Sequence, residues 1–281
     1  MTDLPAWEDP RRVLGRHGLS PKRSFSQNFL VSRSAVERIV EALKLDPLER
    51  VVELGPGLGT LTGALLRAGA RVIAVDADRD MLGVLATELG HSPHLDARFG
   101  DATEVDFAAL AEGGGRIAVA GNLPYAVTGG IFRRLVEQHA HVDRAVLMVQ
   151  REVRDRLLAQ AGTKAYGALS VFVGGVFTIK SVCIVPAGAF FPPPRVDSAV
   201  VLLTARSDAF DVERPAFSSC VRGAFEARRK TLRNALLRDR EAASVDAALS
   251  ASGIDGKRRG ETLSVAEFDN LARAFESQTS A

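Results

Sequence analysis

Between residues 51 and 149 short apolar runs alternate with stretches of helical period, and few folds accommodate that order. Val51-Val52-Glu53-Leu54 reads as a buried strand, followed by a glycine loop and a helix over 61–68. Arg71-Val72-Ile73-Ala74-Val75 is a second strand, with a helix over 79–89 behind it. Residues 97–99, 116–120 and 145–149 read as three further short strands. Strands that are apolar along their whole length are buried on both faces, and strand–helix alternation builds a parallel sheet flanked by helices. The expected fold class is α/β, with a mostly parallel, doubly wound sheet.

The flanks are read in the same way. Ser34 is the expected cap of a helix, with Glu37 three residues on and Val36, Ile39, Val40 and Leu43 in one stripe. Residues 1–21 contain Pro5, Pro10, Pro21, Gly15 and Gly18 and are expected to be a loosely ordered lead-in. After residue 150 a helix is expected over 150–160, with strands over 169–173, 178–185 and 199–203. From about 206 only helical period remains, over 217–237, 245–250 and 265–275. The chain is therefore divided into a main domain, 1–206, and a small all-helical C-terminal domain, 207–281. Two cysteines, Cys183 and Cys220, are too few for a disulfide framework. The longest weakly polar run, 167–179, is shorter than the ~20 residues of a membrane helix, and the N-terminus lacks the apolar core of a signal peptide. A soluble cytoplasmic protein without membrane association is expected.

Glu53-Leu54-Gly55-Pro56-Gly57-Leu58-Gly59 follows a strand and opens a helix. Glycine permits the sharp turn and a close backbone approach to a ligand, and the free N–H groups of the helix face it. The spacing is Gly-x-Gly-x-Gly, unlike the Gly-x-Gly-x-x-Gly of dinucleotide folds. Asp76 ends the next strand, where a carboxylate can accept both hydroxyls of a ribose, and Asp101 ends the third, where it can accept an adenine amino group. That set suits a nucleoside without pyrophosphate, such as S-adenosylmethionine. It resembles the class I methyltransferases, whose fold is Rossmann-like.

Asn122-Leu123-Pro124-Tyr125 follows the fourth strand. An exocyclic amine is a poor nucleophile because its lone pair is delocalised into the ring. The side-chain oxygen of Asn122 and the carbonyl of Leu123 can accept N–H bonds from such an amine, Pro124 sets the turn, and Tyr125 can stack on the base. These contacts hold the nitrogen in line with a methyl group and favour its pyramidal form. The chemistry indicated is methylation of a base amino group, with the base unstacked to reach the pocket.

Five ordered motifs now carry a broader likeness: Ser24-Phe25-Ser26-Gln27-Asn28-Phe29-Leu30, the glycine loop, Asn122–Tyr125, Phe190-Phe191-Pro192-Pro193-Pro194-Arg195-Val196-Asp197-Ser198, and Arg228-Arg229-Lys230-Thr231-Leu232-Arg233-Asn234. Together they resemble the bacterial ribosomal RNA adenine dimethyltransferases, over about residues 21–275. The resemblance implies S-adenosylmethionine as methyl donor and no metal. It implies two adjacent adenines near the 3′ end of 16S rRNA, within the immature 30S subunit, as substrate, and a monomeric enzyme. It puts Gln27, Asn28 and Leu30 beside the methionine part of the donor, and Glu53, Gly55 and Gly57 along it. It further implies Asp76 at the ribose, Asp101 at the adenine, and Asn122 through Tyr125 at the target amine, with Asn122 also among the donor-binding residues. Phe190 would cover the opposite face of the flipped base, in an aromatic sandwich with Tyr125. Three positions depart from the family pattern: Ser26 in place of glycine, Asp76 in place of glutamate, and Arg195 in place of lysine.

The net charge of +2, from 36 basic and 34 acidic residues, is unevenly spread. Residues 34–150 hold 11 basic and 16 acidic residues, 1–33 hold six and three, and 222–240 hold seven and two. Phe225, Leu232 and Leu236 are expected to face the core of one long helix, with Arg222, Arg229 and Arg233 along another face. Arg195, Arg222, Arg228, Arg229, Lys230 and Arg233 are the candidate RNA-binding residues. The histidines at 91, 94, 139 and 141 lie outside all five motifs and read as surface residues. Other readings at this stage are a large-subunit rRNA methyltransferase, a DNA adenine methyltransferase, and a non-catalytic assembly factor.

Overall fold

The computed structural model describes residues 6–111 and 115–279. The chain divides into two compact units: one takes the chain up to Arg154 together with Ile179–Ala205, the other Asp155–Thr178 together with the chain from Arg206. The expected boundary at 206 is one of the crossings. The segment 155–178 belongs with the C-terminal unit, which corrects its assignment to the main domain.

The first unit begins with α1 (Pro10–Arg16), so the lead-in is not loose over those residues; its first five residues lie outside the described ones. Asp9 caps the helix by accepting from the Arg11 N–H at 2.9 Å, and Pro10 at the first helical position needs no partner for an absent N–H. Val13 and Leu14 pack with Phe29, Leu58, Met81 and Val84, and Arg16 and His17 bond to Glu88 of the later helix 79–89, so the segment is held by both apolar docking and polar ties. Next come β1 (Phe29–Leu30) and α2 (Arg33–Leu43), capped by Ser32 rather than Ser34. The earlier cap brings Ala35 onto the buried face with Val36, Ile39 and Leu43.

The alternation then runs β2 (Arg50–Leu54), α3 (Thr60–Arg67), β3 (Arg71–Asp76), α4 (Arg79–Leu89), β4 (Leu95–Phe99), α5 (Phe107–Leu110), β5 (Ile117–Asn122), α6 (Thr128–Glu137) and β6 (Val142–Gln150). Among the described residues one sheet has the order β4-β3-β2-β5-β6, continued by β9 (Ser198–Ala205) and β7 (Phe177–Val185). The pairs β2–β3, β3–β4, β2–β5 and β5–β6 are parallel, and β6–β9 is antiparallel. Val51, Val52 and Leu54 of β2 and Ala118, Val119 and Ala120 of β5 are fully buried, as strands covered on both faces must be. Chain order reverses between β2 and β5, and the carboxyl ends of strands at such a reversal open a crevice for a ligand. A short ribbon, β1 against β8 (Phe190–Phe191), pairs Leu30 with Phe190 and Phe29 with Phe191.

In the second unit residues 169–173 are helical, inside α8 (Ala168–Val176), where a strand was expected. The run is apolar on every side, and such a run carries no periodicity to separate a buried helix from a buried strand. Ser170 decides locally: its hydroxyl accepts from the Gly167 N–H at 3.1 Å and donates to the Arg156 carbonyl at 2.6 Å. The helix α7 (Arg151–Leu157) precedes it, in place of the expected 150–160.

The long helix expected over 217–237 is two: α9 (Pro215–Glu226) and α10 (Leu232–Leu236). Thr231 restarts the chain by capping Asn234, and the N–H groups of Leu232 and Arg233 bond the carbonyls of Arg258 and Gly256. The proposed alignment of Phe225, Leu232 and Leu236 against Arg222, Arg229 and Arg233 on one helix therefore does not hold. The helices α11 (Ala242–Ser252) and α12 (Val265–Thr279) complete the unit.

Candidate active site

At the carboxyl ends of β2, β3, β4 and β5 the first unit encloses a cavity of about 280 Å³. Its wall brings together Gln27, Asn28, Leu30, Glu53, Gly55, Gly57, Asp76, Asp101, Asn122, Leu123, Pro124 and Tyr125. These span nearly a hundred residues of chain: Glu53 to Tyr125 meet because each ends or follows a strand of the sheet, whereas Gln27, Asn28 and Leu30 come from the segment at the short ribbon ahead of α2.

The glycine loop needs its glycines for two distinct reasons. Gly57 has φ +54°, and a β-carbon there would stand 3.1 Å from the Phe29 ring, on the floor of the cavity. Gly59 has φ +81°, and a β-carbon would meet the Leu85 methyl at 2.7 Å, where α3 packs on α4. The Gly57 N–H donates to Asp76 Oδ2 at 3.0 Å, and the Asp78 N–H donates to Asp76 Oδ1 at 2.8 Å. Each oxygen of that carboxylate keeps a further lone pair for a ligand hydroxyl. Burial raises the pKa of Asp76 above the usual carboxylate range.

Glu53 sits deeper, 1% exposed, with the Thr62 hydroxyl donating to Oε2 at 2.6 Å. Burial pushes its pKa to about 8, against the opposing pull of that hydrogen bond. Asp101 is exposed at the rim, and its Oδ1 accepts from both the N–H and the hydroxyl of Thr103 at 2.8 Å.

On the other wall the Asn122 amide is oriented by chemistry. Its Nδ2 donates to the Asn28 carbonyl at 3.0 Å. A carbonyl can only accept, so the nitrogen must face it and Oδ1 is left as an acceptor at the other end of the amide group. Leu123 anchors the turn, with a buried side chain and an N–H bond to the Met148 carbonyl at 3.1 Å. The Pro124 carbonyl accepts from the Thr128 hydroxyl at 3.1 Å. The Tyr125 hydroxyl is paired with Ser198 Oγ at 2.7 Å, and burial raises its pKa.

Ser26 has φ +51° and ψ +37°, the left-handed conformation that glycine takes without cost. The turn keeps that conformation with serine in it, and the Ser26 carbonyl accepts from Asn28 Nδ2 at 3.0 Å.

Phe190 is a correction. It is 3% exposed and packs into the core with Leu30, Val36 and Val200, and it is not on the cavity wall. Its register opposite Leu30 turns the ring inward, and strand alternation turns Phe191 to the other face. Besides Tyr125, the aromatic rings on the wall are Phe29 and Phe25, the latter 37% exposed.

Among the basic candidates, Arg228 is ion-paired with Glu261 and donates to the Lys164 carbonyl at 2.7 Å. Arg233 binds both oxygens of Asp246, at 2.5 and 2.7 Å. Arg195, Arg222, Arg229 and Lys230 are exposed. Sequence reasoning passed over Lys22, Thr62, Asp78 and Ser198, which act on the wall residues from behind. Asp78 was the most legible of these, since an acidic residue directly before a helical run is a capping signal.

Comparison with known proteins decides the family. Residues 18–277 match the family model described as ribosomal RNA adenine dimethylase. The chain belongs to that family. Among its relatives is the ribosomal RNA small subunit methyltransferase A of Myxococcus xanthus, 46% identical over 273 residues and 95% of either chain. The protein of the same name from Geobacillus thermodenitrificans is 39% identical, over 94% of each. Of solved structures, a dimethyladenosine transferase from Plasmodium falciparum is 25% identical with a TM-score of 0.77, covering 89% of this chain and 98% of that one. The 23S rRNA methyltransferase ErmE is also 25% identical, with a TM-score of 0.65 over 89% of this chain and all of its own. As a member of the ribosomal RNA adenine dimethylase family the chain is an enzyme with the class I methyltransferase fold. No helix among the described residues is long and apolar enough to cross a membrane.

Proposed function

We propose that this enzyme transfers two methyl groups from S-adenosylmethionine to N6 of each of two adjacent adenines near the 3′ end of 16S rRNA. Its substrate is the RNA within the immature 30S subunit, and it acts in the cytoplasm as a monomer. The observation that carries the reading is the Asn122 amide, pinned through its nitrogen so that Oδ1 remains to accept from an amine.

The residues on the wall fit the donor: Gly55 and Gly57, both at positive φ and the latter with little room for a β-carbon beside Phe29, a strand-end carboxylate already polarised by backbone N–H groups, and a second carboxylate at the rim. When bound, S-adenosylmethionine supplies a methyl group on a cationic sulfur. Asp76 would hold its ribose hydroxyls, Asp101 its adenine amine, and Gln27, Asn28, Leu30, Glu53, Gly55 and Gly57 its methionine portion. Asn122 Oδ1 and the Leu123 carbonyl accept the two N–H bonds of the target amine. They draw its lone pair out of ring conjugation and aim it at the methyl group. Tyr125, fixed by Ser198, stacks on the flipped base, a contact worth about 1–3 kcal/mol. As the N–C bond forms, the S–CH3 bond would break and the sulfur would leave as a neutral thioether; the cationic nitrogen would then pass its proton to solvent, so no ionised base is required.

Arg195, Arg222, Arg229 and Lys230 contact RNA phosphates, whereas Arg228 and Arg233 are paired with Glu261 and Asp246 within the helical unit. Replacing Arg222, Arg229 and Lys230 together by alanine is expected to flatten the dependence of log affinity on log salt, by about 0.7–0.9 for each phosphate no longer neutralised. Filter binding of small-subunit RNA over a salt series reads this, and an unchanged slope would remove those residues from the RNA interface.

Incubation with labelled S-adenosylmethionine and under-methylated small subunits, followed by mapping of the modified bases, tests the whole reading. Label is expected on adjacent adenines near the 3′ end. Label on large-subunit RNA or DNA, with none on small-subunit adenines, overturns it.

A further inference from the structure

Lys22 and Asp78 are not on the cavity wall, yet the hydrogen bonds that tie the 22–28 loop to the start of α4 pass through them. Lys22 Nζ lies 2.7 Å from Asp78 Oδ1 and 2.6 Å from Asp80 Oδ2. The Lys22 N–H donates to Gln27 Oε1 at 2.8 Å, and Gln27 Nε2 donates to Asp78 Oδ2 at 2.8 Å. Both ends of the loop thus hang on one carboxylate, which is only 3% exposed. Asp78 also accepts from the Asp80 N–H at 3.0 Å as the cap of α4. Burial acts to raise its pKa, but Lys22, the Asp80 N–H and Gln27 outweigh it and hold the group ionised.

From this residue hydrogen bonds run in both directions around the cavity. The Asp78 N–H donates to Asp76, and Asp76 accepts from Gly57 of the donor loop. The loop continues from Gln27 to Asn28, whose carbonyl holds the Asn122 amide. One wall presents the expected ribose ligand and the other the expected amine acceptor, and the 22–28 loop is their hydrogen-bonded connection.

We infer that the Lys22–Asp78 ion pair is a positioning device that sets the Asn122 amide in register with Asp76, coupling the donor half of the site to the acceptor half. The inference rests on the functional reading above. Neither residue touches the reacting atoms; both act through Gln27 and Asn28. Loosening the loop blurs the donor wall and releases the carbonyl that orients Asn122, so binding and chemistry weaken together. A mispositioning of about 1 Å in such a site costs up to about 10²-fold in rate. The Lys22 ammonium is one-third exposed, so added salt weakens the pair.

The test uses Lys22→Met, which keeps the aliphatic stem and removes the charge, and Lys22→Arg, which returns a cation. S-adenosylmethionine binding is measured by calorimetry without RNA, methyl transfer to under-methylated small subunits at saturating donor, and thermal melting alongside. Lys22→Met is expected to weaken donor binding about tenfold and to lower the saturated rate about tenfold, with Lys22→Arg recovering most of both. A lowered melting temperature with donor affinity and saturated rate both within about twofold of wild type would show an ordinary structural ion pair and overturn the inference. So would a change in only one of the two, or a loss that Lys22→Arg does not recover. Wild-type protein that leaves small-subunit adenines unlabelled would sink the functional reading instead, while the calorimetry still reports on the loop.

Discussion

Asn122→Ala is expected to lower methyl transfer at saturating donor by about 10²–10³-fold, the range found when one preorganised polar group facing a transition state is removed. Donor affinity is expected to stay within a few-fold, because Asp76 and the glycine loop keep their mutual hydrogen bond from Gly57 to Asp76. The two effects separate because the Asn122 side chain is held from behind by the Asn28 carbonyl and does not itself hold the donor loop. Single-turnover transfer to under-methylated small subunits, with calorimetry of S-adenosylmethionine, measures both. Loss of donor binding in step with transfer would place Asn122 on the donor rather than on the amine.

The second large effect is on stability. Glu53 titrates near 8 in the folded chain because burial disfavours its charge, whereas an unfolded carboxylate titrates near 4.5. Between those values the folded state binds more protons than the unfolded one, so raising the pH through that window costs wild-type stability. The contribution is fully present below about pH 4.5 and gone above about pH 8, falling by about 1.4 kcal/mol per pH unit between. Glu53→Gln keeps an acceptor for the Thr62 hydroxyl and cannot ionise. The variant is therefore expected to gain on wild type by that slope, and to be the more stable of the two at pH 8. Urea unfolding of both proteins at pH 5, 6.5 and 8 measures the gap, since groups common to the two cancel. A gap independent of pH would mean that Glu53 is ionised across the whole range.

How much of the site was readable in the sequence depends on where each residue's partners lie. Gly55, Gly57, Asp76 and Asn122 were legible because each is defined by what immediately precedes it, a strand end. Phe190 was not, because its direction is set by register against Leu30 in another strand, and one residue of register exchanges core face for open face. Likewise the arginine-rich stretch declares its charge but not its partners. Arg228 and Arg233 are engaged by Glu261 and Asp246, while Arg222, Arg229 and Lys230 stay exposed. The helix at 168–176 is hidden for a third reason: a uniformly apolar segment has no period to betray its conformation.

The sequence by itself determined the α/β class, the strand-end glycine loop and its carboxylates, and the Asn122–Tyr125 turn, since local pattern and strand alternation suffice for them. Only the tertiary structure decided that Phe190 is core, that the segment 155–178 joins the C-terminal unit, and that Lys22 and Gln27 share Asp78. The physical reason is the same in each case. The deciding hydrogen bonds and packing join residues far apart in the chain, 51 positions for Gln27 with Asp78 and 94 for Asn28 with Asn122, and no local propensity encodes such a meeting.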